Sequence, residues 1–401
     1  MLVDQDGPLG CLPAVDLADP WWMASDDVLA ALKEQFGLHG FVLRLLTAST
    51  SPFEPGAEVV YAVEKIGDLP PDLPLEVCTD DIGLAEDDNP RRMPWARVGG
   101  VAADVAWADC QLAALTRPRT GPALQMRTWN LSLLLRLPTS LGPVWLKHVP
   151  QFFRHEGSVI TMVEDARCVA TPPLLADDPV AGRLLLGEVP GVDQHYPDES
   201  LTVRMVETLV TLQQRMMSRR EAVLASGAAD WRATALSHSA TDLAARGDVR
   251  AELDLVERTA LDAVIAELPA RLDALYSCGL QDTLIHGDFH PGNYRFDGHR
   301  LVLLDWGDSG VGHPLLDMAA FLERVPAEWQ GRVRTIWVAT WTAMFPRSEV
   351  ALAVELIQPV AALRQAIIYR RFLDAIELSE QIYHRDDPAR WLRRAIALTG
   401  A

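Results

Sequence analysis

The sequence predicts an α+β chain in three zones: a mixed zone in front, a β-rich middle and a long helical remainder. Three observations carry that expectation. In the middle, Leu131–Leu137 is apolar apart from Ser132 and Arg136, and Thr139-Ser140-Leu141-Gly142 can turn it into a second apolar run, Pro143–Val149. Beyond Gly191, Leu201, Met205, Leu209, Leu212 and Met216 keep the spacing of one helix face. Ahead of both, a helix-like segment, Asp26–Phe36, precedes two strand-like ones, Gly40–Leu46 and Glu58–Ile66.

The first zone, residues 1–118, continues through Gly67–Pro94, rich in Pro and Asp and read as loop, to a helix from about Val101 to Leu115. No chemistry attaches to it. Its strands and Gly99-Gly100 faintly resemble a nucleotide-hydrolysing Nudix domain, but the glutamates that would hold the metal are missing, so it is expected to be an accessory α+β packing domain. Thr116–Gly121 has linker chemistry. Residues 119–190 hold the strand pair, with Lys147 in the second strand. A helix from Phe152 to about Val163 follows and carries Glu156; a further strand, Leu184-Leu185-Leu186, runs into Gly187-Glu188-Val189-Pro190-Gly191. In residues 191–401 a second long helix is expected from about Val249 to Ser277, stopped at Cys278-Gly279. Helix resumes from Pro314, with Trp329, Trp337, Trp341, Tyr369 and Phe372 spread through it.

Composition narrows the function classes. Of 401 residues, 49% are hydrophobic and 23% charged, enough to build a large core. Lys and Arg number 36 against 55 Asp and Glu, and the formal charge of −19 repels phosphate backbones, so nucleic acid is not an expected partner. The longest uncharged run, Thr335–Pro346, falls well short of the ~18 apolar residues of a membrane helix, so no membrane partner is expected. Asp4, Asp6 and Asp16 precede the first basic residue, Lys33, the reverse of a secretory signal. Cys11, Cys78, Cys110, Cys168 and Cys278 lie far apart, which fits a reducing cytoplasm and argues against a disulfide scaffold or a cysteine zinc site. A cytoplasmic protein is expected.

One stretch carries chemistry: Leu284-Ile285-His286-Gly287-Asp288-Phe289-His290-Pro291-Gly292-Asn293, followed by Leu301-Val302-Leu303-Leu304-Asp305-Trp306-Gly307-Asp308. An apolar strand delivers Asp288 into a Gly- and Pro-rich turn, Asn293 follows five positions later, and a hairpin strand ends at Asp305. Two carboxylates and an amide on loop ends are the oxygen ligands that Mg²⁺ takes, completed by substrate phosphates and water. The Asp-x-x-x-x-Asn spacing is that of a phosphoryl-transfer catalytic loop, in which the Asp receives the acceptor's hydroxyl proton and the Asn and a later Asp bind metal.

HGDFHPGN followed by LLDWGDSGVGHPLLDMA resembles the aminoglycoside phosphotransferase and choline kinase superfamily, small-molecule kinases with a protein-kinase-like fold. The resemblance covers about Gln125 to the C-terminus. It implies a bilobal fold, a small β-rich N-lobe over residues 119–190 and a helical C-lobe over 191–401, with residues 1–118 as an extra domain. It implies Asp288 as catalytic base, Asn293 and Asp305 as Mg²⁺ ligands, and His286 and Asp317 as braces of the catalytic loop. Lys147 would reach the α- and β-phosphates of ATP or GTP, Glu156 would pair with that lysine, and Gly187, Glu188 and Val189 would form the hinge that meets the base. The loop Met126–Ser132 has no glycine to cradle phosphate, and Asn130 is its one polar position that matches related kinases.

The expected activity is transfer of the γ-phosphoryl group to a hydroxyl of a small molecule. An aminoglycoside or another hydroxylated antibiotic is the first choice, which would make this a resistance enzyme; the alternative is a sugar or amino alcohol, as for choline, homoserine or glucosamine kinases. Other readings use the same residues differently. A nucleotide-binding pseudoenzyme would explain the glycine-poor loop, and a zinc hydrolase would use His286, Asp288 and His290, without a further His/Cys cluster to complete a tetrahedron. Lys147 reads alternatively as an edge-strand charge that blocks aggregation. The C-terminal aromatics and Tyr383-His384-Arg385-Asp386-Asp387 read as core or as an acceptor pocket.

Overall fold

The computed structural model describes residues 1–18, 21–50, 56–77 and 89–400. The chain divides into two compact units: Met1–Gln151 with Leu174–Glu188 and Phe372–Arg385, and Phe152–Pro173 with Val189–Arg371 and the chain from Asp386. The crossing at Glu188 and Val189 lies inside the segment expected to be the hinge.

The first unit contains two sheets. β1 (Leu2–Asp4), β2 (Gly7–Gly10), β3 (Gly40–Ala48) and β4 (Val59–Lys65) form one in the order β2-β1-β4-β3, with α1 (Ser25–Phe36) between β2 and β3 in sequence. After α2 (Gly100–Ala114) come β5 (Leu124–Trp129), β6 (Ser132–Leu137), β7 (Val144–His148), β8 (Leu174–Asp178) and β9 (Arg183–Gly187), an antiparallel sheet in the order β5-β6-β7-β9-β8. Alternation decides which face is buried. Leu133, Leu135 and Leu137 of β6 and Val144 and Leu146 of β7 join Val101, Ala108 and Leu112 of α2, Leu43 and Leu46 of β3, and Trp95 in one core. Residues 1–118 therefore cover one face of the five-stranded sheet and share its core; β3, β4 and α2 fall where the sequence places them, whereas β1 and β2 are not among the expected strands.

That interface has a polar staple. Asp104 of α2, 1% exposed, meets His148 Nδ1 and Arg183 Nε of the sheet, each at 2.8 Å. His148 Nε2 lies 2.9 Å from the Ala181 carbonyl oxygen. The segment Phe372–Arg385 is tied into the same unit. Glu377 pairs with Arg92 at 3.1 Å and with Arg44 at 3.7 Å, and Glu380 accepts the Leu45 N–H at 2.6 Å. Cys110, Cys168 and Cys278 are free thiols. Cys11 is disulfide-bonded, which corrects the expectation of reduced cysteines throughout, and Cys78 lies outside the described residues.

The second unit begins with α3 (Glu156–Ala166), which starts later than expected because a 3₁₀ turn, Gln151–Phe153, precedes it, and which runs on to Ala166. It continues with β10 (Val192–Asp193), α4 (Glu199–Met216), α5 (Arg220–Ala225), β11 (Ala229–Trp231) and α6 (Ala233–Ala245). The single helix expected from Val249 to Ser277 is two: α7 (Gly247–Ala251) and α8 (Leu255–Ser277). The break is a capping box, in which Asp254 accepts the Glu257 N–H at 2.8 Å and Glu257 accepts the Asp254 N–H at 2.9 Å. β12 (Thr283–Ile285), β13 (Tyr294–Phe296), β14 (Leu301–Leu303) and β15 (Gly310–Gly312) complete two small sheets, β10-β13-β14 and β11-β15-β12. α9 (Leu316–Glu323), α10 (Ala327–Met344), α11 (Val350–Ala375) and α12 (Asp387–Thr399) follow. Among the described residues α11 alone is long and apolar enough to cross a membrane, but 67% of its most apolar stretch is buried, as in a core helix. Trp337 and Trp341 are fully buried, which makes these two tryptophans core.

Burial pushes the Glu380 carboxyl up to about 8, the Leu45 N–H bond opposing and the Glu377 charge adding to the rise. Between its ordinary 4.5 and about 8 the folded chain holds a proton that the unfolded chain has released. Stability should therefore fall as pH rises from 5 to 8, by at most about 1.4 kcal/mol per pH unit from this group. Glu380→Gln keeps an acceptor for Leu45 and should flatten that slope in urea unfolding; an unchanged slope would show that Glu380 titrates normally.

Candidate active site

β12 is buried along its whole length and ends at a turn that only glycine can make. Gly287 has φ +91°, and a Cβ there would stand 2.0 Å from the Asp308 carbonyl oxygen. The turn is held by Asp317, in the first turn of α9 and fully buried. Its carboxylate accepts the backbone N–H of His286 at 2.9 Å, that of Gly287 at 2.8 Å and the Gln213 amide at 2.9 Å. Burial pushes the Asp317 carboxyl up, while His286, these two N–H bonds and Arg364 pull it down.

His286 links the turn to the hairpin. Its Nε2 lies 2.8 Å from the Leu304 carbonyl oxygen, which can only accept, so Nε2 carries a proton. Burial, opposed by Asp317 and the Leu304 bond, holds the imidazole below its ordinary value. The Leu304 N–H in turn donates to the Asn293 carbonyl at 2.8 Å. One imidazole and one backbone bond thus fix the Asp288–Asn293 loop against the strand that ends in Asp305.

Asp288 stands at the surface of this frame, its side chain 41% exposed, with His290 Nε2 3.4 Å from Oδ2. Burial of the group works against ionisation, but the His290 hydrogen bond and charge, with Arg324 and His286, outweigh it and hold the carboxyl at about 2. Asn293 Nδ2 donates to the Asp288 carbonyl at 2.8 Å and lies 3.4 Å from Asp288 Oδ2, which leaves the Asn293 Oδ1 for a ligand. Asp305 is exposed and adopts φ +60°. That left-handed backbone costs about 1 kcal/mol or more for a residue with a Cβ and turns the carboxylate off the line of β14. Among the described residues no three His, Cys, Asp or Glu side chains converge on a metal position. Asn293 and Asp305 would thus supply two hard oxygen ligands and leave the rest of the shell to phosphates and water, which fits Mg²⁺ and not tetrahedral zinc.

The other predicted residues are distributed between the two units. Glu156 begins α3 in the second unit and is 1% exposed. Lys147 belongs to the first, in β7, between Leu134 of β6 and Leu184 of β9. It is on the middle strand of five, so the edge-strand explanation does not apply, and it lies on the face opposite buried Leu146 and His148. Gly187 ends β9 and is buried, as is Val189; the Glu188 carboxylate takes the Trp145 indole N–H and sits 3.8 Å from Arg136 Nε.

Asn130 is expected toward phosphate, and its amide nitrogen is bonded within the first unit. It is 3% exposed, its Nδ2 donates to the Glu380 carbonyl at 3.2 Å, and its Oδ1 is buried with no hydrogen-bond partner. The whole glycine-free loop is similarly held. Trp95 Nε1 donates to the Trp129 carbonyl at 3.2 Å, the Trp129 ring stands 5.8 Å from Tyr383 and 5.7 Å from His384, and the Thr128 N–H donates to the Met23 carbonyl at 3.1 Å. Two framing residues escaped the sequence reading. Gln213 sits among the apolar positions of α4, and Arg364, whose Nη1 donates to the Gly287 carbonyl at 3.0 Å, is the one charge in the apolar run Leu356–Tyr369. A lone polar residue in a helical apolar stripe is the available signal.

A β-sheet unit carrying a strand lysine, and a helical unit presenting Asp, Asn and Asp on a braced loop and hairpin, define a protein-kinase-like phosphotransferase. Residues 132–352, more than half of the chain, match the Phosphotransferase enzyme family, and the chain belongs to it. No curated protein matches it by sequence. Among solved structures it is similar to a macrolide 2'-phosphotransferase type I, at 18% identity over 72% of this chain and 97% of that one, with a TM-score of 0.52. It is similar also to the apoenzyme of a macrolide 2'-phosphotransferase from Brachybacterium faecium, at 16% identity over 71% and 97%, TM-score 0.50. A choline/ethanolamine kinase family protein from Mesorhizobium loti follows at 16% identity over 74% and 98%, TM-score 0.49. At these identities the likeness to the two macrolide phosphotransferases speaks to the fold alone.

Asp317→Asn would set an amide N–H₂ against donors that the carboxylate now satisfies. It should lower stability by about 1–3 kcal/mol in urea unfolding, the cost of a buried unpaired donor. An unchanged midpoint would show that the loop does not depend on this carboxylate.

Proposed function

We propose that this phosphotransferase moves the γ-phosphoryl group of ATP or GTP to a hydroxyl of a small molecule. The observation that supports it best is the Asp288 carboxylate, ionised and partly exposed, on a loop whose every turn is braced, with Asn293 bonded to its carbonyl. A carboxylate held at about 2 is a weak base toward an alcohol. Asp288 would therefore orient the hydroxyl and take its proton late, as a loose transition state allows. Asn293 and Asp305 would hold Mg²⁺, which when bound neutralises charge on the β- and γ-phosphates. Lys147 would anchor the α/β-phosphates, Glu156 would steady that ammonium, and the backbone of Gly187, Glu188 and Val189 would meet the base. Asn130, its amide nitrogen bonded to the Glu380 carbonyl, is left out of the phosphate contacts. Catalysis on this plan is positioning and electrostatics.

For the acceptor we favour an aminoglycoside or another hydroxylated antibiotic; the net charge of −19 is compatible with a cationic amine. A sugar or amino alcohol is the alternative. Nucleotide binding without transfer is a second reading, favoured by the glycine-free loop.

The test is Mg²⁺-dependent consumption of ATP and GTP before a panel of aminoglycosides, macrolides, nucleoside antibiotics, amino sugars and amino alcohols, with mass spectrometry of products. Asp288→Asn should lower kcat by about 10²–10⁴-fold with the fold retained; near-native turnover in that variant would remove Asp288 as the base. Lys147→Ala should raise KM for the nucleotide, and an unchanged KM would take the phosphate contact from Lys147. Nucleotide binding with no product from any acceptor would favour the second reading.

A further inference from the structure

We propose that Arg364 is a positioning residue for the Asp288 loop, an inference that rests on the phosphotransferase reading and extends it to a side chain outside the motif. Arg364 lies on α11 and is 2% exposed. Its Nη1 donates to the Gly287 carbonyl at 3.0 Å, and its Nη2 stands 2.9 Å from where a Cβ on Gly287 would be. The guanidinium thus packs directly on the Gly287–Asp288 peptide. Its Cζ also lies over the Trp231 ring, 4.9 Å from the ring centre. Gly287 is consequently held at both ends, its N–H by Asp317 and its C=O by Arg364, and the peptide plane that leads into Asp288 has one orientation.

Packing alone does not call for a charge at this position. Its neighbours on α11, Leu363, Ala366, Ile367 and Ile368, are buried and apolar. Nε and Nη2 have no hydrogen-bond partner. Burial opposes its charge, which is offset by Asp317, Asp308 and Asp288. A guanidinium with two unpaired donors is costly to bury, although removing it alone leaves the buried Asp317 without that compensating charge. Asp317 keeps its three N–H donors without Arg364. What the guanidinium adds is a fixed planar donor under the catalytic turn, which an ammonium supplies only in part.

The experiment compares the full-length protein with Arg364→Met and Arg364→Lys, reading the thermal midpoint, amide exchange over residues 284–293 by mass spectrometry, and kcat and KM on the acceptor found in the panel. We expect Arg364→Met to melt at a lower temperature, because it leaves Asp317 and the Gly287 carbonyl without their cation. It should exchange faster in 284–293 but not throughout the second unit, and lose about 10²-fold in kcat with KM for nucleotide within about twofold. Arg364→Lys should fall between the two and covers a Met variant that fails to fold. Unchanged exchange and kcat in both variants would overturn the proposal, as would a fall in kcat matched by faster exchange throughout the second unit. A wild-type protein that phosphorylates nothing would sink the phosphotransferase reading instead, and exchange would still decide whether Arg364 holds the loop.

Discussion

The candidate site depends on one buried carboxylate. Asp317 gathers the backbone N–H groups of His286 and Gly287 and the side chain of Gln213, and so connects the start of α9, the end of β12 and the body of α4. A carboxylate in a dry interior is tolerated only when its lone pairs are used. Using them here fixes the two residues before Asp288. From that point rigidity propagates outward: the His286 ring reaches the Leu304 carbonyl, the Leu304 N–H reaches Asn293, and the Asn293 amide returns to Asp288. The closed circuit leaves few soft torsions between the three polar residues that face outward.

The same economy separates the charges by task. Asp317 is buried and spends its oxygens on the backbone and Gln213, whereas Asp288, with the same side chain, is partly exposed and kept ionised mainly by His290. Asp305 reaches its place through a left-handed backbone that a strand end would otherwise avoid. Strain at such a position persists only where the surroundings over-determine it. Trp306, buried against His286 at 4.7 Å with its indole N–H on the Leu303 carbonyl, supplies that constraint.

In the first unit, residues 1–118 answer a packing need. The five-stranded sheet has an apolar face, with Leu133, Leu135, Leu137, Val144 and Leu146 all fully buried, and the N-terminal strands and α2 cover it. The staple through Asp104 fixes α2 to that face by charge as well as by apolar contact. The β5–β6 turn, which lacks glycine, is held by Trp95 and by the Glu380–His384 segment. A loop so anchored has little freedom to fold over a ligand.

The sequence by itself determined the elements that local chemistry specifies. Alternation marked β6 and β7, helical spacing marked α4, and the HGDFHPGN and LLDWGD stretches placed Asp288, Asn293 and Asp305 on turns, because Gly, Pro and short apolar strands leave those residues few other conformations. The capping box at Asp254 was legible in principle and was passed over for the longer apolar pattern. Only the tertiary structure decided which polar residues are buried and whom they meet. Arg364 lies 77 residues from the Gly287 carbonyl it holds, Glu380 lies 335 from the Leu45 N–H, and Asp104 lies 79 from Arg183. Such partners share no period and no spacing. They are chosen by which apolar faces pack together, and a buried polar group then takes whatever complement the packing brings to it.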